Sequence, residues 1–341
     1  MNQVPQDQTL AVMLRGGLSE NAHRGRISVV ATTDGRELYS VGDTGAPTYV
    51  RSTAKPMQAI ASLGSGLAEA YGLESRHLAL MGASHRGSPE QMAVLEEMLA
   101  LTGVPEDALA VGATLPAGSR NRDAYIAGGG RPRKLFHTCA GKHLGVLAYS
   151  KLKGWPLEGY IHPEHPAQRE VLGAVARWTG EDMSQVTVGR DGCGFPVAAM
   201  PLRRLALGYG RLASPELAAA AGVDAASVAA ATAVTRAMNA HPLLVEGDRR
   251  LASILLADPN VVAKSGAHGV FAVGLRREQL GVAFTVANGT EIAWPYIAMA
   301  LLERFGSLEE ETKQRLNAAF PAEFLNDAGE PAGRWEAELP K

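Results

Sequence analysis

The sequence predicts an α+β fold, with an antiparallel sheet flanked by helices and a largely helical region in the middle. Strand-like runs lie near both ends, helical patterns fill the middle, and no repeat or low-complexity linker divides the chain. At the N-terminal end, residues 26–33 and 36–41 are apolar-rich runs separated by Asp34-Gly35, a pair suited to a two-residue hairpin turn. Residues 52–67 carry Ala54, Met57, Ala61 and Leu67 at helical spacing, and Pro56 falls in the first turn, where a missing N–H is tolerated. A helix over 88–102 follows from Ser88 as cap, Pro89 at the first position, Gln91 as capping-box partner and Gly103 as terminator. Further helices are expected over 140–150, 166–179, 214–239 and 291–305. Strands are expected over 261–263, 269–275 and 281–287. Gly and Pro are spread along the chain and form no hinge, so one domain over 1–341 is expected, its sheet built from both ends.

Composition narrows the function classes. The 341 residues include 33 Lys+Arg against 35 Asp+Glu and 46% hydrophobic residues, which speaks against a basic nucleic-acid binder, an acidic tail protein or a disordered chain. Only two cysteines occur, Cys139 and Cys193, which suggests a reducing compartment. Residues 1–10, MNQVPQDQTL, lack the basic and apolar regions of a secretory leader. The alanine-rich stretch 205–238 is broken by Arg211, Pro215, Glu216, Asp224 and Arg236, so no membrane span is expected. A cytoplasmic location follows as the expectation.

Five short segments carry chemistry. Ser52 and Lys55 stand three residues apart, which on a helix puts a hydroxyl and an amine on one face, where a neutral lysine can take the serine proton. The alternative for Ser52 is a plain helix cap. Lys264-Ser265-Gly266 ends an apolar run and resembles the Lys-Thr/Ser-Gly that accompanies Ser-x-x-Lys in serine β-lactamases and penicillin-binding proteins; the middle Ser-Asp-Asn element of those enzymes is not evident. Ser84 lies in a glycine-bracketed loop, Gly82 to Gly87, either presented to a ligand or satisfying its own backbone. The segments 137–143 (HTCAGKH) and 190–196 (RDGCGFP) hold the two cysteines among polar residues and could share a metal or substrate site. Cys139 and Cys193 could be joined there by His143, His137, Asp191 or Lys142, and spacing does not choose among them.

With these segments together, the chain resembles the Rhizobium-etli-type, or class 3, bacterial L-asparaginases across nearly its whole length. The residues carrying the resemblance are 51–56 (RSTAKP), the Gly-Ala-Ser-His at Ser84, the Cys-x-Gly-Lys-His at Cys139, the Asp-Gly-Cys-Gly at Cys193, and Lys264-Ser265-Gly266. The resemblance implies a serine-β-lactamase/glutaminase-like fold, a homodimer, and hydrolysis of L-asparagine to L-aspartate and ammonia. It pairs Ser52 with Lys55 and Ser84 with Lys264 as catalytic residues. It also implies one zinc per chain on Cys139, Lys142 and Cys193, a structural or substrate-positioning ion that is not strictly essential. Arg51, His85, Lys142 and Asp191 are candidates for holding the substrate's charged ends, because they bring opposite charges beside the motif serines. Which serine attacks stays open. The other readings are a β-lactamase-like or esterase-like serine acyl hydrolase and a non-catalytic, zinc-containing amino-acid-binding protein. No nucleic-acid or membrane partner is expected.

Overall fold

The structure, a computed structural model, describes residues 5–340. Residues 1–4 of the expected leader-free N-terminus, and residue 341 at the end of the expected domain, lie outside the described residues. The strands are β1 (Gln8–Arg15), β2 (Leu18–Ala31), β3 (Glu37–Val41), β4 (Pro47–Tyr49), β5 (Thr187–Arg190), β6 (Pro196–Pro201), β7 (Val261–Gly266), β8 (Val270–Leu275), β9 (Leu280–Val286), β10 (Glu323–Leu325) and β11 (Pro331–Ala337). The chain divides into two compact units. A sheet unit comprises Met1–Thr53, Met200–Ser214 and Ile254–Lys341, and a helical unit comprises Ala54–Ala199 and Pro215–Ser253. The sequence suggests one domain because neither unit is contiguous, so no composition shift marks the crossings.

In the sheet unit the strand order is β10-β11-β1-β2-β9-β8-β7, with β3 also paired to β2, and neighbouring strands run antiparallel. This is the α+β sheet expected, built from both ends of the chain. The middle of the sheet is packed with apolar side chains: Val29 faces Val282 across β2 and β9, and the rings of Phe271 and Phe284 stack at 5.5 Å. One helix, Leu202–Ala213, packs on β2, β7, β8 and β9. Glycines permit its approach. A Cβ added at Gly281 would stand 1.8 Å from the Ala206 carbonyl oxygen, and one at Gly274 would stand 2.1 Å from that of Tyr209. Any larger residue there forces backbone apart, which cores resist because they are already close-packed.

The turn after β2 differs from the expected two-residue hairpin. Residues 32–36 separate the strands, only Gly35 of the Asp34-Gly35 pair is left-handed (φ +73°), and the β2–β3 pairing shifts register between Val29 and Val30. Asp34 Oδ1 accepts from the Arg36 N–H at 3.0 Å, which holds the wider loop. β1, β10 and β11 have no counterpart in the expectations, because their polar outer faces dilute the apolar pattern.

In the helical unit, helices Ala140–Leu152 and Pro166–Thr179 form where expected. Helix Pro89–Thr102 has the full predicted capping box: Ser88 Oγ accepts from the Gln91 N–H, Gln91 Oε1 accepts from the Ser88 N–H, and Gly103 closes the helix in the left-handed region. Two expected helices are shorter. The one over 52–67 is a 3-10 turn, Arg51–Ala54, running into helix Lys55–Leu63, and it ends at Gly64. The one over 214–239 is two helices, Pro215–Ala220 and Ala225–Ala240. Asp224 caps the second by accepting from the Ser227 N–H at 2.9 Å. Helix Ser75–Met81 was not read from the sequence. Among the described residues, no helix is long and apolar enough to cross a membrane.

Candidate active site

The helical unit gathers one cluster of the expected residues. Lys55 opens helix Lys55–Leu63, whose buried Met57 and Ile60 anchor it among helices Ala140–Leu152, Pro166–Thr179 and Ala225–Ala240. Lys55 is 1% exposed, and its amino group donates to the Ala83 carbonyl at 2.6 Å, the Ser84 Oγ at 2.9 Å and the Thr138 carbonyl at 3.4 Å. The two carbonyls can take two N–H bonds of a neutral amine. The third direction then lies along the Ser84 hydroxyl, where a lone pair can receive its proton. Ser84 itself is fixed by its backbone, its N–H donating to the Val245 carbonyl at 2.8 Å. That bond removes the Ser84 amide from the donors available to an oxyanion.

His85, fully buried, makes a 2.7 Å bond from Nε2 to the His137 carbonyl, so Nε2 carries the hydrogen. Burial pulls its pKa down to about 4, against the opposing effect of the His137 carbonyl, and its Nδ1 has no hydrogen-bond partner among the described residues. His137 turns its Nδ1 back to accept from the Cys139 N–H at 3.1 Å.

Cys139 stands at the N-cap of helix Ala140–Leu152, where the helix dipole favours a thiolate. A close approach makes this possible: a Cβ at Gly141 would lie 2.2 Å from the Leu80 carbonyl oxygen. The second cysteine comes from the β5–β6 hairpin, in which the Asp191 N–H bonds the Phe195 carbonyl and the Gly194 N–H bonds the Asp191 carbonyl, presenting Cys193 inward. The hydrogen bond from Cys193 holds the Cys139 thiol well below its ordinary pKa despite burial, with the amino groups of Lys55 and Lys142 adding to the effect; the same bond, and burial, push Cys193 up. Lys142 Nζ donates to Cys193 Sγ at 3.1 Å and sits 3.9 Å from the centre of the Phe195 ring. Burial alone would lower its pKa, but the charge on Cys139 and Cys193, with Asp191 contributing, raises it. Asp191 thus faces Lys142 electrostatically, while its own Oδ1 accepts from the Gly192 N–H at 2.8 Å.

Two sulfurs and an amine converge here, and Cys139, Cys193 and Lys142 would give a zinc ion three donors once Cys193 and Lys142 give up the protons they hold without it. Among the described residues no group of three His, Cys, Asp or Glu side chains could hold a metal, and a lysine donor is what distinguishes this cluster. His143, the alternative imidazole, is engaged through one nitrogen: its Nδ1 meets the Tyr160 hydroxyl at 2.5 Å, that hydroxyl accepts from the Ala110 N–H at 3.0 Å, and its Nε2 is buried with no hydrogen-bond partner among the described residues. Burial lowers the His143 pKa well below the ordinary value. Tyr160, Phe195 and Thr138 were not singled out from the sequence, because an isolated aromatic or a threonine carries no spacing signal.

The remaining expected residues belong to the sheet unit. Ser52 sits half-buried in the Arg51–Ala54 turn. Arg51 precedes it at φ +50°, a left-handed conformation that costs about 1 kcal/mol or more for a side-chain-bearing residue. The turn is held from both sides. The Tyr209 hydroxyl donates to the Thr53 carbonyl at 2.7 Å, and a Cβ at Gly266 would lie 3.2 Å from both Arg51 Cβ and Thr53 Cγ2. Two of the motifs, 51–53 and 264–266, therefore meet inside this unit. Lys264 is fully buried within β7, opposite Ala272, and its Nζ donates to the Ser265 carbonyl at 3.0 Å. Lys264-Ser265-Gly266 thus lies inside the strand ladder.

These residues belong to a chain that is, by family, an amidohydrolase. The sequence model of L-asparaginase II matches residues 11–337, and the chain is a member of that family. No curated protein matches the chain. Among solved structures it is similar to a β-lactamase from Mycobacterium bovis (16% identity, 83% of this chain and 95% of that one covered, TM-score 0.43). It is also similar to a probable glutaminase from Bacillus subtilis complexed with 6-diazo-5-oxo-L-norleucine (14% identity, 82% and 83% covered, TM-score 0.38). At such scores these likenesses add nothing to what the sheet topology already establishes.

Proposed function

We propose that the protein hydrolyses L-asparagine to L-aspartate and ammonia by serine–lysine nucleophilic catalysis. The observation that carries the reading is the buried Lys55 amino group, held by two backbone carbonyls with its third direction on Ser84 Oγ. A serine oxygen attacks the side-chain carboxamide carbon, a neutral lysine takes the hydroxyl proton, and that proton leaves with ammonia. Water then resolves the acyl-enzyme and returns a proton to the serine. Because the Ser84 amide is bonded to Val245, an attacking Ser84 would need oxyanion donors other than its own N–H. Ser52 and Lys264 enter the proposal through their motifs, with Ser52 an equal candidate for the nucleophile.

The neutral, buried His85 and the opposite charges of Lys142 and Asp191 support the assignment of substrate-holding roles, with Arg51 added by its motif. Zinc belongs to the reading on Cys139, Lys142 and Cys193, where it would position a polar end of the substrate. A homodimer and a cytoplasmic location complete it. Ammonia release from L-asparagine by purified protein tests the proposal, and absence of turnover on asparagine and glutamine alike would refute it.

A further inference from the structure

We infer that Gln91 is a positioning residue that sets the place of Ser84 by clamping its loop to helix Pro242–Glu246; the inference rests on Ser84 belonging to the catalytic pair. Gln91 is fully buried, and its amide uses all four hydrogen-bonding positions. Its Oε1 accepts from the Arg86 N–H at 2.9 Å and the Ser88 N–H at 3.0 Å. Its Nε2 donates to the Leu243 carbonyl at 3.0 Å and the Leu244 carbonyl at 3.2 Å. The next carbonyl along, Val245, receives the Ser84 N–H. One side chain therefore fixes both the loop that carries Ser84 and the backbone against which Ser84 rests.

A capping box explains only part of this. Its requirement is an acceptor for the Ser88 N–H, which glutamate supplies equally well. The bonds to Leu243 and Leu244 need donors, which glutamate lacks. Losing them frees the Val245 segment to shift, and with it the 2.9 Å contact between Ser84 Oγ and Lys55 Nζ. A displacement of about 1 Å at a reacting group costs on the order of 100-fold in rate.

The test compares Gln91→Glu, Gln91→Met, Ser88→Ala and Ser84→Ala in ammonia release from asparagine, together with thermal melts. The expected result is a kcat lower by roughly 100-fold in both Gln91 variants with KM changed by less than about threefold. Ser88→Ala should lower the melting temperature and leave kcat unchanged. The Gln91 side-chain amide protons of the wild type should exchange slowly with solvent, a measurement that needs no variant to fold. Normal kcat in a folded Gln91 variant, or rapid exchange of those protons, overturns the inference. Full activity of Ser84→Ala overturns it together with the catalytic reading beneath it. Loss in Ser84→Ala with normal kcat in the Gln91 variants overturns the clamp alone.

Discussion

Whether Lys55 and Ser84 act as one chemical unit is open to a double-mutant cycle. Ser84→Ala removes the hydroxyl that Lys55 contacts at 2.9 Å, and Lys55→Met removes the amine while keeping most of the buried stem. General-base assistance is worth about 100- to 10,000-fold, so each single change should lower kcat/KM by about 1,000-fold, or roughly 4 kcal/mol of transition-state stabilisation. If the two residues transfer one proton between them, the double variant loses nothing more and stays near 1,000-fold, about 4 kcal/mol short of the additive sum. If they act independently, the losses multiply to about a million-fold. The assay is steady-state ammonia release with the fold checked by circular dichroism. A double variant at the multiplicative value would falsify the pairing. The same cycle run on Ser52 with Lys55, and on Ser84 with Lys264, shows which serine each lysine serves.

Asparagine should be preferred to glutamine by about 10- to 200-fold in kcat/KM, since a pocket fixing both ends of a short amino acid penalises one methylene by about 1 to 3 kcal/mol; equal values would contradict a fitted pocket. Elemental analysis of protein purified under reducing conditions should find about one zinc per chain, reduced in Cys139→Ser and Cys193→Ser, and chelation should raise KM more than it lowers kcat. Metal content indifferent to both substitutions would return the cysteines to a packing role. His85 titrates near 4 in the folded protein against 6.5 in an unfolded chain, so between these values the unfolded state binds more protons and stability drains away as pH falls. Its contribution is complete above about pH 6.5, and between about pH 7 and pH 4.5 it should account for about 2 kcal/mol of lost stability. His85→Gln should flatten the urea-unfolding profile by that amount, and an unchanged profile would show that His85 is not held neutral.

The legible parts of the fold were those with local causes. The helix after Ser88 was readable because its cap, proline, partner and terminator all lie within or beside its own residues, and β8, β9 and the Val261 to Ala263 start of β7 were readable because those runs are almost wholly apolar. Helix Leu202–Ala213 was not, since it runs into the alanine-rich stretch and owes its place to Gly274 and Gly281, on strands far along the chain. Within the site, the motifs named Lys55, Ser84, Cys139, Lys142 and Cys193, but spacing linked Lys55 to Ser52 alone. The contact between Lys55 and Ser84 depends on how the loop after Met81 folds back, held by Gln91 and Val245, and no interval in the sequence encodes that.

The glycine-seated helix Leu202–Ala213 also bears on how the chain is made. Strand β2 is complete at Ala31, yet the strand that closes its Gly25–Ala31 edge begins at Leu280. At about 5 to 20 residues per second, that edge waits on the order of 12 to 50 s during synthesis, an interval in which β2, paired only with β1 and β3, leaves one row of backbone groups open to wrong partners. The helix emerges well before β8 and β9. With no side chains at Gly274 and Gly281, β8 and β9 close onto the Tyr209 and Ala206 carbonyls of a helix that precedes them in the chain, and the sheet's middle can be complete before β10 and β11 add its far edge.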